Sequence, residues 1–353
     1  MTRWDFETTS LVILGAGFSR AATNDGTPLM KGYFDHLDAN AYPELYRFVL
    51  DVGCDRVCPT IGDANVERVL LALEQVRTAS SLVLAGWFDR WMNKTDMLRS
   101  QLGNYTLFRL SDGIDFERKN WAVQSLARTG FDTTFISLNY DNIAESILSY
   151  RTGTTHCQGG NCPHCKMRSI LEYSCSCDSR NTDLGNRWRG SLIKLHGSIA
   201  WRRCVAEGCC ASECIDADCN CAPFSEIPCP YCNQSCVPVM VFPTMSKNLG
   251  EIPQIGTMWQ AARSALEDAE SILLFGFSMP TSDELLAQLI RNACERNRRL
   301  RRVGAIALDP DDVLQRFKQA VSPTWEVEYV PMPVDSDSTP SWFEMPNREV
   351  VKS

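Results

Sequence analysis

The sequence predicts an α/β protein built on a doubly wound, mostly parallel sheet that carries a helical insertion and a small cysteine-rich domain. Three observations predict it. Short apolar runs recur along the chain with amphipathic stretches between them, the pattern of buried parallel strands alternating with helices. Residues from about 60 to 130 are mostly helical in pattern and too long for one crossover, so they form an added helical layer. Fourteen of the 17 cysteines fall between Cys157 and Cys236, where apolar runs are few.

Each element has its own signal. Ser10-Leu11-Val12-Ile13-Leu14 is short, apolar and ends in glycines, as a first buried strand would. Similar runs are Thr134 to Leu138, Leu192 to Leu195, Pro238 to Phe242, Ile272 to Gly276 and Val303 to Leu308. Trp325 to Val330 alternates apolar and polar residues and reads as an edge strand. Asn65 to Glu74 and Trp259 to Leu266 carry helical periodicity. The expected organisation is a first sheet portion at 1–150 with the helical insertion, and a cysteine-rich insert at 151–236. Residues 192–198, inside that insert, rejoin the sheet. The second sheet portion follows at 237–332 and a flexible tail at 333–353.

With 353 residues, 44% hydrophobic and 22% charged, the chain reads as an ordinary globular protein. No stretch reaches the roughly twenty apolar residues of a membrane span. Trp4, Asp5 and Glu7 do not fit a signal peptide, so a cytoplasmic protein without membrane contact is expected. The net charge of -8 argues against direct nucleic-acid binding. The arginine-rich run Arg291 to Arg302 reads as the solvated end of a helix.

Without a secretory signal, the clustered cysteines point to metal rather than disulfides. Cys162-Pro163-His164-Cys165 and Cys229-Pro230-Tyr231-Cys232 have zinc-knuckle spacing, in which two thiolates three positions apart span one tetrahedral ion. The expected domain therefore binds zinc, one to three ions. Cys204, Cys209, Cys229 and Cys232 make one plausible four-sulfur site, and Cys157, Cys162, Cys165 and Cys177 another. Cys210, Cys214, Cys219 and Cys221 supply a third or exchange roles with their neighbours. The Cys162 pair also spells a thiol oxidoreductase motif, but the strand and helix that motif needs are not visible. Cys54, Cys58 and Cys294 read as ordinary thiols.

Three strand ends carry the chemistry. Gly15-Ala16-Gly17-Phe18-Ser19-Arg20 after the first strand reads as a phosphate-cradling turn of a Rossmann-like domain, with Ser19 and Arg20 toward the phosphates. The third glycine of the dehydrogenase fingerprint is absent, and Asp35 and Asp38 do not follow a second strand, which disfavours a dehydrogenase. Asn139, in Asn139-Tyr140-Asp141, has an amide able to donate and accept, though it also suits a strand-end turn. His196, followed by Gly197, lies where open sheets put their ligands and suits a proton acceptor, though it also suits a satisfied core histidine.

Gly15-Ala16-Gly17-Phe18-Ser19, Asn139-Tyr140-Asp141, His196-Gly197, a zinc insert and Gly276-Phe277-Ser278, in that order, resemble the sirtuin superfamily over roughly residues 10 to 310. The resemblance implies a Rossmann-like NAD-binding domain with a small zinc domain, cleaving NAD+ between nicotinamide and ribose. By that resemblance Asn139 holds a ribose hydroxyl and an attacking water, His196 takes a proton, and Asp141 binds the nicotinamide amide. Gly276, Phe277 and Ser278 border the adenosine, and Asp309 meets the adenine-side ribose. Helix caps are the competing roles for Asp141 and Asp309.

The chain departs from the deacylase branch at Thr27-Pro28-Leu29-Met30-Lys31 and at Phe242-Pro243-Thr244-Met245-Ser246-Lys247, which puts acyl-peptide binding in doubt. Pro243-Thr244 with Lys247, and Gly276 to Pro280 before Asp283, look more like the sirtuin-like NAD-degrading effectors of bacterial anti-phage systems. The expectation is an NAD+ hydrolase that depletes NAD, controlled as a homo-oligomer or by a HerA-type ATPase. Its alternatives are an NAD-dependent protein deacylase or ADP-ribosyltransferase, and a non-catalytic NAD or ADP-ribose sensor or zinc-dependent interaction module.

Overall fold

A computed structural model describes residues 4–23, 32–54, 60–78, 89–111, 120–130, 132–151, 192–204, 206–209, 216–217, 229, 231–234, 236–241, 253–279, 283–321, 326–334 and 340–343. The strands, in chain order, are β1 (Leu11–Leu14), β2 (Thr134–Ser137), β3 (Leu192–Lys194), β4 (Gly197–Cys204), β5 (Asp216–Ala217), β6 (Cys236–Met240), β7 (Ser271–Phe275), β8 (Arg302–Ala307) and β9 (Glu328–Pro333). The helices are α1 (Ala16–Ala22), α2 (Pro43–Gly53), α3 (Val66–Thr78), α4 (Asp89–Met92), α5 (Thr95–Ser111), α6 (Trp121–Ala127), α7 (Ile143–Arg151), α8 (Pro253–Asp268), α9 (Glu284–Arg296) and α10 (Pro310–Val321).

Six strands form one sheet in the order β3-β2-β1-β7-β8-β9, and every pair is parallel. Counted within this sheet the order is 3-2-1-4-5-6, the doubly wound Rossmann arrangement, whose switch point falls between β1 and β7. The strands alternate between two cores. Leu11 and Ile13 of β1 face α8, α9 and α10 through Trp259, Ile290 and Phe317. Val12 and Leu14 face α1, α6 and α7 through Phe18, Val123 and Ile147. A strand apolar on both faces is what burial under two helical layers demands. The alternating run from Trp325 is an edge strand as expected, since among the described residues β9 pairs only with β8.

Three details differ from the sequence expectation. The helical insertion has its own core, built from Phe34, Phe48, Trp91, Tyr105 and their neighbours on α2 to α5; it starts before residue 60, and α6 belongs to the sheet instead. The Pro238–Phe242 run is not a strand of the parallel sheet: β6 pairs antiparallel with β4 in a three-stranded sheet ordered β5-β4-β6. Within the expected flexible tail, Phe343 is buried and Trp342 stacks near Phe6 and donates to the Pro333 carbonyl at 2.6 Å. Aromatic area outweighs the local Pro/Ser/Asp composition there. The arginine-rich run does end a helix, and its side chains pair with acids: Arg296 with Glu267, Arg299 with Asp268 and Glu270, Arg302 with Glu328.

The switch point is closed by glycine against glycine. The Gly17 amide donates to the Gly276 carbonyl at 3.0 Å, and a Cβ on Gly276 would lie 2.0 Å from the Phe18 nitrogen at a φ of +60°. Gly276→Ala therefore combines a left-handed backbone with overpacking. The expected loss is about 3 kcal/mol, checked by urea unfolding against the wild type.

Candidate active site and cysteine cluster

Asn139, at the carboxyl end of β2, is oriented by its surroundings. Its Nδ2 donates to the Gly15 carbonyl at 2.9 Å and to the Ser19 hydroxyl at 2.8 Å. A carbonyl only accepts, so the amide nitrogen must face Gly15 and both amide hydrogens are spent. The oxygen Oδ1 is the group left for a ligand. Asn139 thus meets a ligand as an acceptor, where the sequence suggested that it both donates and accepts. Ser19 in turn hydrogen-bonds the buried Asp141 carboxyl, joining α1 to the β2 turn.

Asp141 also accepts from the Ile143 amide at 3.1 Å, a side-chain turn one residue ahead of the cap position at Asn142, beside Asn139. Burial raises its carboxyl above the ordinary range, opposed by the charge of Lys194 and by Ser19 and reinforced by Glu145.

His196 occupies a tight joint. Only Leu195 and His196 separate β3 of the large sheet from β4 of the small one. Gly197 makes this possible: its φ is +81°, and a Cβ there would meet the Val239 carbonyl at 2.1 Å. The backbone is laced on both sides. The Val241 amide donates to the His196 carbonyl at 2.8 Å, and Ile199 to the Tyr140 carbonyl at 2.8 Å. The Tyr140 hydroxyl donates to the Val241 carbonyl at 2.7 Å.

The imidazole lies between two acceptors. Nδ1 faces the Leu138 carbonyl at 3.0 Å, so it carries a hydrogen. Nε2 faces the Asp283 carboxylate at 3.2 Å, with both side chains buried. The contact has the geometry of a hydrogen-bonded acid–base pair. Asp283 also caps α9, accepting the Leu286 amide at 3.1 Å. Pairing of Asp283 with His196 has no short-range sequence signal; only its cap position before Glu284 is legible.

Other predicted residues divide. Gly15, Ala16 and Gly17 form the β1–α1 turn, with Ala16 exposed and Gly17 half-buried. Phe18 is a core residue, its ring edge-on to Phe275 at 4.9 Å, and Phe277 is buried in the opposite core; neither ring lies free for a ligand. Arg20 is half-buried on α1, and Ser278 is exposed. Asp309 takes the cap role, accepting the Asp312 amide at 3.0 Å ahead of α10.

The cysteine cluster is a finding of its own. Cys204, Cys209, Cys229 and Cys232 carry sulfurs all within 4.8 Å of one another. Cys204 and Cys232 are 3.5 Å apart, and Cys209 and Cys229 3.7 Å, too far for a disulfide bond of about 2.05 Å. A tetrahedron of zinc–sulfur bonds near 2.3 Å has edges of about 3.8 Å, so the set fits one tetrahedral ion. Cys157, Cys162, Cys165, Cys177, Cys210, Cys214, Cys219, Cys221 and Cys58 lie outside the described residues. Cys54 and Cys294 form no disulfide among the described residues, and burial pushes Cys294 up to about 12.

Fold and site together define a Rossmann-type α/β protein with polar side chains at its switch point and a four-cysteine cluster in an appended antiparallel sheet. No family model matches the chain, and no curated protein matches it. Among solved structures it is similar to a structure described as the basis for the mechanism and regulation of Sir2 enzymes, at 12% identity, covering 90% of this chain and 92% of that one, with a TM-score of 0.40. A Sir2 homologue mutant in complex with ADP-ribose is 14% identical, with 90% and 94% covered and a TM-score of 0.38. A structure concerned with sirtuin substrate affinity is 13% identical, with 88% and 91% covered and a TM-score of 0.32. At these TM-scores the superpositions assign no residue a role. No helix among the described residues is long and apolar enough to cross a membrane.

Proposed function

We propose that this chain hydrolyses NAD+ at the bond between nicotinamide and ribose, giving nicotinamide and ADP-ribose. The observation that carries the reading is the pre-oriented Asn139 amide, whose oxygen, unspent among the described residues, stands beside Ser19 and Asp141 at the carboxyl end of β2, next to the switch point of a 3-2-1-4-5-6 sheet. Dinucleotides bind at that place in such sheets. His196 follows at the end of the neighbouring strand β3.

In the reaction the C–N bond breaks with its electron pair going to the pyridinium nitrogen, which leaves as neutral nicotinamide. Positive charge builds on the ribose, water adds to its anomeric carbon, and one proton is released. Asn139 Oδ1 accepts a hydrogen bond from the water or a ribose hydroxyl and fixes its approach. His196 Nε2 is the proton acceptor: on substrate entry Asp283 leaves with the proton it shares with Nε2, and the freed lone pair faces the incoming hydroxyl. Asp141 receives the nicotinamide amide. Cys204, Cys209, Cys229 and Cys232 would hold a structural zinc, which would cross-link the small sheet. Such an enzyme depletes NAD, which suits anti-phage defence under the control of oligomerisation or a HerA-type ATPase.

The test is product analysis of purified protein with NAD+, alone and with the ATPase. Nicotinamide and ADP-ribose in equal amounts, without an acylated peptide, are expected. Nicotinamide release that requires an acyl peptide or an acceptor protein supports the transferase reading, and binding of intact NAD+ without turnover supports a sensor.

A further inference from the structure

Lys194 is the charged residue inside an apolar strand, and its side chain is 1% exposed. A buried ammonium needs partners, and it finds them on the segment that follows β2. Nζ donates to the Asp141 backbone carbonyl and to Glu145 Oε1, the latter at 2.7 Å. Glu145 is itself buried, and its second oxygen has no hydrogen-bond partner among the described residues. Two buried carboxyl groups and one buried ammonium therefore lie together where the β2 turn enters α7. The groups facing the Asp141 carboxyl are Ser19 from α1, Lys194 from β3 and Glu145 from α7, with the Ile143 amide.

We infer that Lys194 is a positioning residue for this site: it fastens the turn bearing Asn139 and Asp141 to the strand that leads into His196, and it sets a buried positive charge beside the Asp141 carboxyl. As an anion Asp141 offers lone pairs beyond those taken by Ser19 and Ile143, which is what a carboxamide N–H of the substrate needs. The substrate part rests on the NAD reading above; the charge relation does not. Lys194 and Glu145 act on Asp141 with opposite signs. Lys194 holds its proton affinity down and Glu145 holds it up.

The opposite signs make the test. The Asp141 carboxyl is followed by carbon-13 NMR against pH in aspartate-labelled protein, assigned with Asp141→Asn, and nicotinamide release is measured over the same range. Lys194→Met is expected to move the Asp141 titration up by about one pH unit or more, and Glu145→Gln to move it down. The acid limb of turnover follows each shift. A merely structural Lys194 would lower turnover at every pH and leave the limb in place. Glu145→Gln conserves volume, so it decides the sign should Lys194→Met fail to fold. An Asp141 titration that stays put in the Glu145 variant, or moves up in it, overturns the assignment. Both carboxyl shifts in a protein that releases no nicotinamide support the role of Lys194 and overturn the NAD reading.

Discussion

Asn139→Asp is expected to cut nicotinamide release from NAD+ by roughly 100-fold to 10,000-fold with the fold retained, and His196→Ala by a similar factor. The aspartate keeps the shape of Asn139 but has no hydrogen to give. It would set a carboxyl oxygen against the Gly15 carbonyl, where the amide now donates at 2.9 Å, and would strand the Ser19 hydroxyl between two acids. The side chain must then rotate, which removes the oxygen that faces the substrate, or take up a proton, whose single hydrogen serves only one of Gly15 and Ser19. His196→Ala removes the ring that links the Leu138 carbonyl to Asp283. The Asp283 carboxylate keeps its cap on α9, so the helix survives while the proton acceptor does not. Chromatography of nicotinamide over time, beside circular dichroism and thermal melts of each variant, checks the prediction. Wild-type turnover in both variants would refute the site.

The second large effect concerns the metal. Cys204→Ser with Cys229→Ser is expected to remove one zinc per chain, measured by atomic emission on dialysed protein, and to unfold the small sheet. Structural zinc of this type contributes on the order of 10 kcal/mol or more to the unit it closes. The unit here is β4 to β6, whose first residue follows His196 directly, so loss of the metal should also end NAD cleavage. The pH dependence has a definite sign. Burial alone would raise the Cys229 thiol, but the Tyr231 and Cys232 amides and the neighbouring thiols lower it from its ordinary value to about 7. A depressed thiol contributes stability above its ordinary titration range, and that stability is lost as pH falls through the lowered value. Zinc should thus stay bound at and above neutrality and leave as the solution is acidified, because protons compete for the thiolates. A zinc content unchanged by the double substitution would place the metal elsewhere.

Much of the fold was legible because burial on two faces writes itself into a strand. Leu11-Val12-Ile13-Leu14 has no polar face to offer, and the parallel partners of β1 read the same way. A short apolar run does not say which sheet it joins, however, and for that reason Pro238 to Phe242 reads like any core strand while pairing in the small antiparallel sheet. β4 was less legible still, since Gly197 opens it and two arginines interrupt it. The cysteine spacing carried the four-cysteine cluster: Cys229 and Cys232 are a local turn, and Cys204 and Cys209 meet them across it.

At the site, residue identity pointed to Asn139, Asp141 and His196, whose types and strand-end positions follow from the chain alone. What tertiary structure decided is which atoms remain for a ligand. Gly15 and Ser19 take both hydrogens of the Asn139 amide, Asp283 takes the outer nitrogen of His196, and Lys194 sets the charge around Asp141. Gly15 and Gly17, which the sequence offers as a phosphate cradle, are needed first, together with Gly276, so that the turn after β1 can touch the end of β7. The physical reason is common to all of these. Periodicity and composition report each residue's average surroundings, whereas donors, acceptors and buried charges are balanced pair by pair, by partners that only the fold brings within reach.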